Sequence, residues 1–231
     1  MKKAVNTCDL QSCFLCRNSS TAVWLQLIET HRQNTRYKKG EIIFAEGEKV
    51  KGIYFLFKGK VKVHKQWGQQ KELIIHFAKE GEMIGYRGIA DEKTYPISAT
   101  ALGPVTVCFI DLAFFESFLE VNHQLTYRLM KFYANELHDA EKRMRNLAHM
   151  NVKGRFADTL LMLKRRFGQN KDGSINIILS KRDIASYTGT TYETLFRIMN
   201  ELIEEKVIRI TGKKIILLKE KKLEELTKKS G

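Results

Sequence analysis

The chain has 231 residues, 43% hydrophobic and 29% charged, which suits one or two compact domains and excludes a disordered or collagen-like chain. With 40 Lys+Arg against 26 Asp+Glu, the formal charge is +14, a surplus that favours a polyanionic partner. The longest apolar stretches, such as Val105 to Ile110 and Ile53 to Phe57, are far shorter than the ~20 residues of a spanning helix, so no membrane-crossing segment is expected.

The first segment, residues 1–20, opens on Met1-Lys2-Lys3, but Asn6, Thr7, Cys8 and Asp9 follow where a signal peptide needs apolar residues. A cytoplasmic location is therefore expected, in which thiols stay reduced. Four cysteines in that setting (Cys8, Cys13, Cys16 and Cys108) point to metal binding, redox sensing or plain packing before structural disulfides.

Residues 21–112 read as a β-roll. From Tyr37 to Ile110 the pattern is short and strand-like, interrupted by glycines from Gly40 to Gly103 that suit tight turns. Lys60-Val61-Lys62-Val63-His64 alternates with period two, as do Val105, Val107 and Phe109 against their neighbours, the pattern of an antiparallel sheet with one buried face.

Over residues 113–150 the period changes. From Val121 to Ala148, apolar or small residues recur at Met130, Tyr133, Leu137, Ala140, Met144 and Leu147, in steps of three and four that form a heptad seam. About 28 residues make a helix of roughly 42 Å at ~1.5 Å per residue. That is longer than a small roll can cover, so a homodimeric coiled coil is expected.

Residues 151–231 hold 18 Lys+Arg against 10 Asp+Glu, the densest basic region. The pattern predicts a helix from Val152 to Arg166, a strand from Ile175 to Leu179, then helix, turn, helix and hairpin. Ser180 and Asp183 form an N-cap pair, Thr190-Thr191-Tyr192-Glu193 offers a capping box for the next helix, and Gly189 lies in the turn between them. Leu195, Ile198, Met199, Leu202 and Ile203 form the buried stripe of that second helix, leaving Tyr192, Glu193, Phe196, Arg197 and Asn200 on its free face. Thr211-Gly212-Lys213 marks the tip of a basic hairpin.

Two helices around a glycine turn, with polar residues at the start of the second helix's free face, have helix-turn-helix geometry. Glu193 can accept from cytosine N4 and Arg197 can donate twice to guanine, while Tyr192 and Phe196 can touch thymine methyls. Taken alone, Glu193 and Arg197 would be an ordinary i,i+4 salt bridge. Their basic flanks favour DNA: Lys181 and Arg182 at one helix start and Arg209, Lys213 and Lys214 on the hairpin are placed for phosphates. The competing readings are a ligand-binding regulatory module whose C-terminal helices dock on a protein partner, and a regulator with a small-molecule effector and no cofactor.

The run Ser180 to Arg197 resembles the helix-turn-helix of the Crp/Fnr family of bacterial transcription regulators, with Glu193 and Arg197 at its two base-reading positions. Lys39 to Gly47 and Lys58 to Val63 resemble that family's cyclic-nucleotide-binding-type roll, and the likeness covers roughly Thr21 to Leu218. It implies an α+β chain that pairs an antiparallel roll with a long dimerisation helix and a winged helix-turn-helix. The function it implies is that of a non-enzymatic homodimer that reads a near-palindromic operator and recruits or blocks RNA polymerase.

Two effector expectations follow from the resemblance. Where cAMP-binding members carry an Arg-Ser/Thr-Ala phosphate clamp, this chain has Tyr95-Pro96-Ile97-Ser98-Ala99, so cAMP is not expected; Arg87 is a lone candidate for a ligand contact. Cys8, Cys13 and Cys16 before the roll, with Cys108 within it, resemble the oxygen-sensing Fnr proteins, which hold a 4Fe-4S cluster on four thiolates. The N-terminal spacing departs from that pattern, and thiol switching and packing stay open beside the cluster. The histidines (His31, His64, His76, His123, His138 and His149) lack ligand spacing, and no catalytic constellation stands out.

Overall fold

The computed structural model describes residues 13–19, 21–68 and 71–228. The chain divides into two compact units, Met1–Asn135 and Glu136–Gly231.

In the first unit, the short helix α1 (Phe14–Arg17) and helix α2 (Ala22–His31) precede eight strands. These are β1 (Arg32–Tyr37), β2 (Ile42–Phe44), β3 (Gly52–Lys58), β4 (Val61–Trp67), β5 (Lys71–Ala78), β6 (Met83–Ile84), β7 (Ser98–Ala101) and β8 (Val105–Asp111). They form two antiparallel four-stranded sheets, in the orders β1-β8-β3-β6 and β2-β7-β4-β5. The antiparallel roll is therefore present, and β1 extends it at the N-terminal side: its Arg-Gln-Asn-Thr-Arg-Tyr sequence has no apolar alternation, but it pairs along β8 from Arg32↔Ile110 to Tyr37↔Val105.

The apolar run Ile53 to Leu56 follows from burial on both faces of β3. Tyr54 and Leu56 join Phe44, Val61, Val63, Tyr95 and Val107 between the sheets. Ile53 and Phe55 join a second apolar layer with α1, α2, helix α3 (Leu112–Val121) and the first turns of helix α4 (His123–His149). Between the sheets, Phe44 stacks on Tyr95 at 4.3 Å between ring centroids, and the Tyr95 hydroxyl donates to the Gly52 carbonyl at 2.7 Å. Gly85 (φ +82°) lies where an added Cβ would come within 3.3 Å of both Tyr54 and Tyr95, so the packing of the rings and the backbone conformation together call for glycine.

The long helix starts later than expected. The heptad spacing predicts a helix running from Val121, but Val121 ends α3, and Asn122 interrupts the helix (ψ +76°) while its carboxamide oxygen accepts from the Leu125 amide at 3.0 Å. An asparagine that caps the following helix competes with continuation of the preceding one, so the long helix begins at His123.

The second unit contains the last turns of α4, then α5 (Val152–Phe167), α6 (Lys181–Thr188), α7 (Tyr192–Glu204), the hairpin β9 (Ile208–Thr211) and β10 (Lys214–Leu217), and α8 (Glu220–Lys228). The expected strand from Ile175 to Leu179 does not form. Ile175, Ile177 and Leu179 are buried and alternate with exposed Asn176 and Ile178, but the segment has only isolated bridges, Gln169↔Ile175 and Ser174↔Ile216. An extended segment without a ladder shows the same period-two burial as a strand. The closing helix α8, which packs against α5, is an element the sequence pattern did not predict.

Candidate nucleic-acid interface

Helix α6 starts at the expected cap: the Ser180 hydroxyl accepts from the Asp183 amide at 3.0 Å and the Asp183 carboxylate accepts from the Ser180 amide at 3.1 Å. It ends at Gly189 in the left-handed conformation (φ +72°), where an added Cβ would come within 2.6 Å of the Leu147 side chain. The next cap is one residue later than the capping box predicted. Thr191 is the N-cap and accepts from the Thr194 amide at 3.3 Å, which places Glu193 in the first turn, where a carboxylate is favoured by the helix dipole.

Leu195, Ile198, Met199 and Leu202 are buried, while Tyr192, Glu193, Phe196, Arg197 and Asn200 are exposed on the other side of α7; Ile203, expected in the buried stripe, is 38% exposed in the last turn, one residue before the helix ends at Glu204. Tyr192 (41% exposed) and Phe196 (39%) stack with centroids 6.1 Å apart, and the Lys181 amine lies 4.5 Å from the Phe196 ring centre. This cation–π contact ties the start of α6 to the free face of α7. Arg197 does not pair with Glu193: its Nη1 donates to Glu201 Oε1 at 2.8 Å.

Gly212 (φ +61°) and Lys213 form the turn of the β9–β10 hairpin, which closes on the Thr211↔Lys214 pair. A positive φ at the first of two turn residues suits a hairpin and calls for glycine. Arg182, Arg209 and Lys213 are exposed, whereas Lys214 reaches Asp172 at 2.7 Å. Hydrogen bonds from Lys214 and Ser174 hold the Asp172 carboxyl well below the usual carboxylate range.

Two arginines that sequence reading passed over position the turn. Arg155 of α5 donates to the carbonyls of Thr188 at 3.0 Å, Gly189 at 3.1 Å and Met150 at 2.6 Å. Arg143 of α4 donates to the Tyr187 carbonyl at 2.9 Å with its guanidinium 4.3 Å from the centre of the Tyr187 ring. The C-terminal carbonyls of α6, which a helix leaves without intrahelical partners, are thereby satisfied by cations. No local pattern marks either residue, because their partners at the end of α6 lie 33 to 44 positions along the chain.

Of the seam residues, Met130 (59%), Leu137 (62%) and Met144 (62%) are exposed and Ala140 is half-buried. Tyr133 and Leu147 also pack within their own chain. The Tyr133 hydroxyl donates to the Tyr86 carbonyl at 2.7 Å, and Leu147 lies against Gly189.

Cys13, Cys16 and Cys108 lie in one apolar cluster, 6%, 5% and 4% exposed; Cys8 lies outside the described residues. Helix α1 is pinned to the roll by the Phe14 amide, which donates to the Gly81 carbonyl at 2.9 Å, and Phe14 packs on Phe132 of α4 with centroids 5.4 Å apart. Arg87 lies over the Tyr86 ring, 5.9 Å from its centre. In the stretch compared with the phosphate clamp, Ile97 is buried and the Ser98 hydroxyl accepts from the Glu46 amide at 2.9 Å.

Residues 34–122 match the cyclic nucleotide-binding domain family and residues 154–226 the Crp-like helix-turn-helix domain family. A CRP-like cAMP-activated global transcriptional regulator of Mycobacterium tuberculosis is 26% identical over 187 residues, covering 80% of this chain and 84% of the relative. The transcriptional activatory protein AadR of Rhodopseudomonas palustris is 29% identical over 196 residues, covering 84% of this chain and 81% of that protein. The structure of FixK2 from Bradyrhizobium japonicum superposes with a TM-score of 0.75 at 26% identity, covering 84% of this chain and 96% of that one. A roll of this type joined to a Crp-like helix-turn-helix defines a DNA-binding regulator of transcription rather than an enzyme. The chain belongs to the Crp/Fnr family.

Proposed function

We propose that the chain acts as a homodimer that reads a near-palindromic operator with α7 and engages RNA polymerase, in the cytoplasm. The observation that carries this reading is the free face of α7. It presents an acid and an arginine one turn apart beside two stacked exposed aromatics, with basic side chains at the start of α6 and on the wing. In this reading Glu193 and Arg197 contact a G·C pair and its neighbour, Tyr192 and Phe196 touch thymine methyls, and Lys181, Arg182, Arg209, Lys213 and Lys214 grip phosphates. Residues 21–112 serve as sensor, 113–150 as dimerisation helix and 151–231 as DNA-binding domain.

Dimerisation is supported by the exposed Met130, Leu137 and Met144, three large apolar side chains on a helix of 27 residues. Exposed at seven-residue intervals, they form the stripe a coiled coil covers. Two-fold-related α7 helices would then meet successive major grooves, with half-site centres roughly 34–36 Å apart. Leu137→Glu should leave a monomer in sedimentation, because a charge buried in the seam has no partner; a Leu137→Glu dimer of unchanged affinity would mean the seam is misassigned.

For the effector, the Fnr type is favoured over the cAMP type. No guanidinium stands at Tyr95–Ala99, Ile97 is buried, and the Ser98 hydroxyl is already bonded within the roll, which leaves a cyclic phosphate without a matched charge. Micromolar cAMP binding in calorimetry, coupled to DNA affinity, would overturn this.

Three buried sulfur donors in one cluster suit an iron-sulfur centre in donor type and in exclusion of water. Among the described residues no three such side chains converge on a point for a single ion, whereas a four-iron cluster accepts its thiolates around a wider body. Cys13, Cys16 and Cys108, with Cys8, would hold it, and when bound it supplies an oxygen-labile redox centre. The chain's own part is mechanical: Cys13 caps the start of α1 and Cys16 lies within it, and Cys108 lies on β8 between β1 and β3. Holding α1 in place also holds Phe14 against Phe132 of the long helix. Protein purified without oxygen should show sulfide, iron and visible absorption, and Cys108→Ser should lower operator affinity as oxygen does. A dithiol-reversible response without iron would assign the cysteines to disulfide switching instead. Colourless, iron-free protein that binds its operator equally with and without oxygen would leave them as packing residues.

A further inference from the structure

Helix α7 carries one arginine between two acids at equal spacing: Glu193 one turn before Arg197 and Glu201 one turn after it. In an isolated helix an acid four residues before a base is the better order, so local preference would pair Arg197 with Glu193. The fold does the opposite. Arg197 Nη1 lies 2.8 Å from Glu201 Oε1, and Glu193 makes no ion pair among the described residues. Glu201 is also met from α5, where Lys153 Nζ is 3.3 Å from Glu201 Oε2 and 2.9 Å from Glu205 Oε1. Each oxygen of Glu201 thus has its own cation, one anchored on a neighbouring helix and one on the reading face. Exposure of the side chains rises along this chain of charges, from 28% at Lys153 through 36% at Glu201 to 69% at Arg197.

We propose that Glu201 is a specificity-determining positioning residue, which holds Arg197 away from Glu193 so that both stay available to base edges. The proposal rests on the reading of Glu193 and Arg197 as base-reading residues and adds the device that keeps them from neutralising each other. Of the five N–H donors of a guanidinium, the contact to Glu201 uses one nitrogen, which leaves enough for a bidentate guanine contact. Glu193 keeps its carboxylate oxygens for a cytosine amino group. Holding the long arginine side chain beforehand also reduces the ordering cost of binding.

Two effects of removing Glu201 run in opposite directions, which makes the idea testable. Without Glu201 the only acid at i±4 of Arg197 is Glu193, so the two reading groups quench each other and discrimination falls. Removing a negative charge close to DNA also strengthens sequence-independent attraction to phosphates. A purely structural role would lower both together.

The experiment uses the full-length protein and an operator that the wild type selects from a random duplex library. Affinity is measured by fluorescence anisotropy for that operator, for the operator with the Arg197-assigned G·C pair changed to A·T, and for random duplex. Glu201→Ala should lower G·C discrimination about tenfold, within the range of one bidentate arginine–guanine contact, while affinity for random duplex holds or rises. Adding Glu193→Ala to Glu201→Ala should restore discrimination at the Arg197 position, because the competing acid is gone. Should Glu201→Ala lose thermal stability, Glu201→Gln, which keeps shape and one acceptor oxygen, carries the same comparison. Wild-type discrimination in the Glu201 variants, or a double variant no better than Glu201→Ala alone, would overturn the proposal. If Arg197→Ala itself leaves G·C preference intact, it is the base-reading assignment that has failed.

Discussion

Aromatic side chains do opposite work in the two units. Between the sheets of the roll, Phe44, Tyr54 and Tyr95 pack against one another, the Tyr95 hydroxyl is bonded to a backbone carbonyl, and burial pushes the phenols of Tyr54 and Tyr95 above the usual tyrosine range. In the helix-turn-helix unit, Tyr192 and Phe196 stack on the surface, with the Lys181 amine over the Phe196 ring. Buried rings contribute stability, whereas on the proposed reading the exposed pair beside basic groups is surface kept for DNA. The rings of the roll are enclosed by the fold, and those of α7 are left at its surface.

The contrast breaks most visibly at Tyr95. Tyr95→Ala should cost about 3–5 kcal/mol of stability, as large aromatic truncations in cores do, and leave operator preference as it was. Chemical denaturation paired with binding assays measures both. A Tyr95→Ala protein of normal stability would show that the interior is loosely packed and open to a ligand.

Arg197→Ala sharpens the other side. It should cost about 1–3 kcal/mol on the selected operator and blur the preference at one G·C pair, with the melting temperature unmoved because Arg197 is exposed. Intact sequence preference would contradict the assignment of α7 as the reading element.

Lys213→Ala should have a smaller effect, spread evenly: weaker binding to all duplexes alike and a salt dependence shallower by about one phosphate contact. A loss confined to the operator would turn Lys213 from a phosphate contact into a base contact.

The smallest effect concerns the wing itself. Because the Asp172 carboxyl is depressed by Lys214 and Ser174, its folded form holds the proton less tightly than the unfolded chain does. Its contribution is therefore complete at neutral pH and is lost as pH falls through the acidic range. Amide exchange in β9 and β10 should quicken on acidification in the wild type, and in Asp172→Asn it should already be faster at neutral pH and respond less to acid. Equal acid responses in the two proteins would assign the wing's stability elsewhere.

Much of the helix-turn-helix was legible because it rests on local rules. Ser180 and Asp183 satisfy each other three residues apart, and the stripe from Leu195 to Leu202 repeats with the helical period. Where local signals tie, sequence and fold part company. Thr190 and Thr191 offer adjacent caps, and the fold uses Thr191. Ile175 to Leu179 alternate like a strand without having a full partner strand. The polar strand β1 was invisible because its place is set by the edge of β8 rather than by its own side chains.

By itself the sequence determined the order of the parts: a glycine-punctuated roll, a heptad helix and a basic helix-turn-helix with its wing. Each of these is written in spacings of two to seven residues, which the backbone geometry of strands and helices reads directly. Tertiary structure alone decided which charges meet. Arg143 and Arg155 reach the end of α6 from other helices, Lys153 of α5 meets Glu201 beside Arg197, and Cys108 joins Cys13 and Cys16 in one apolar layer. Those pairings depend on helices and strands far apart in the chain packing at a few ångströms, and no local period encodes that distance.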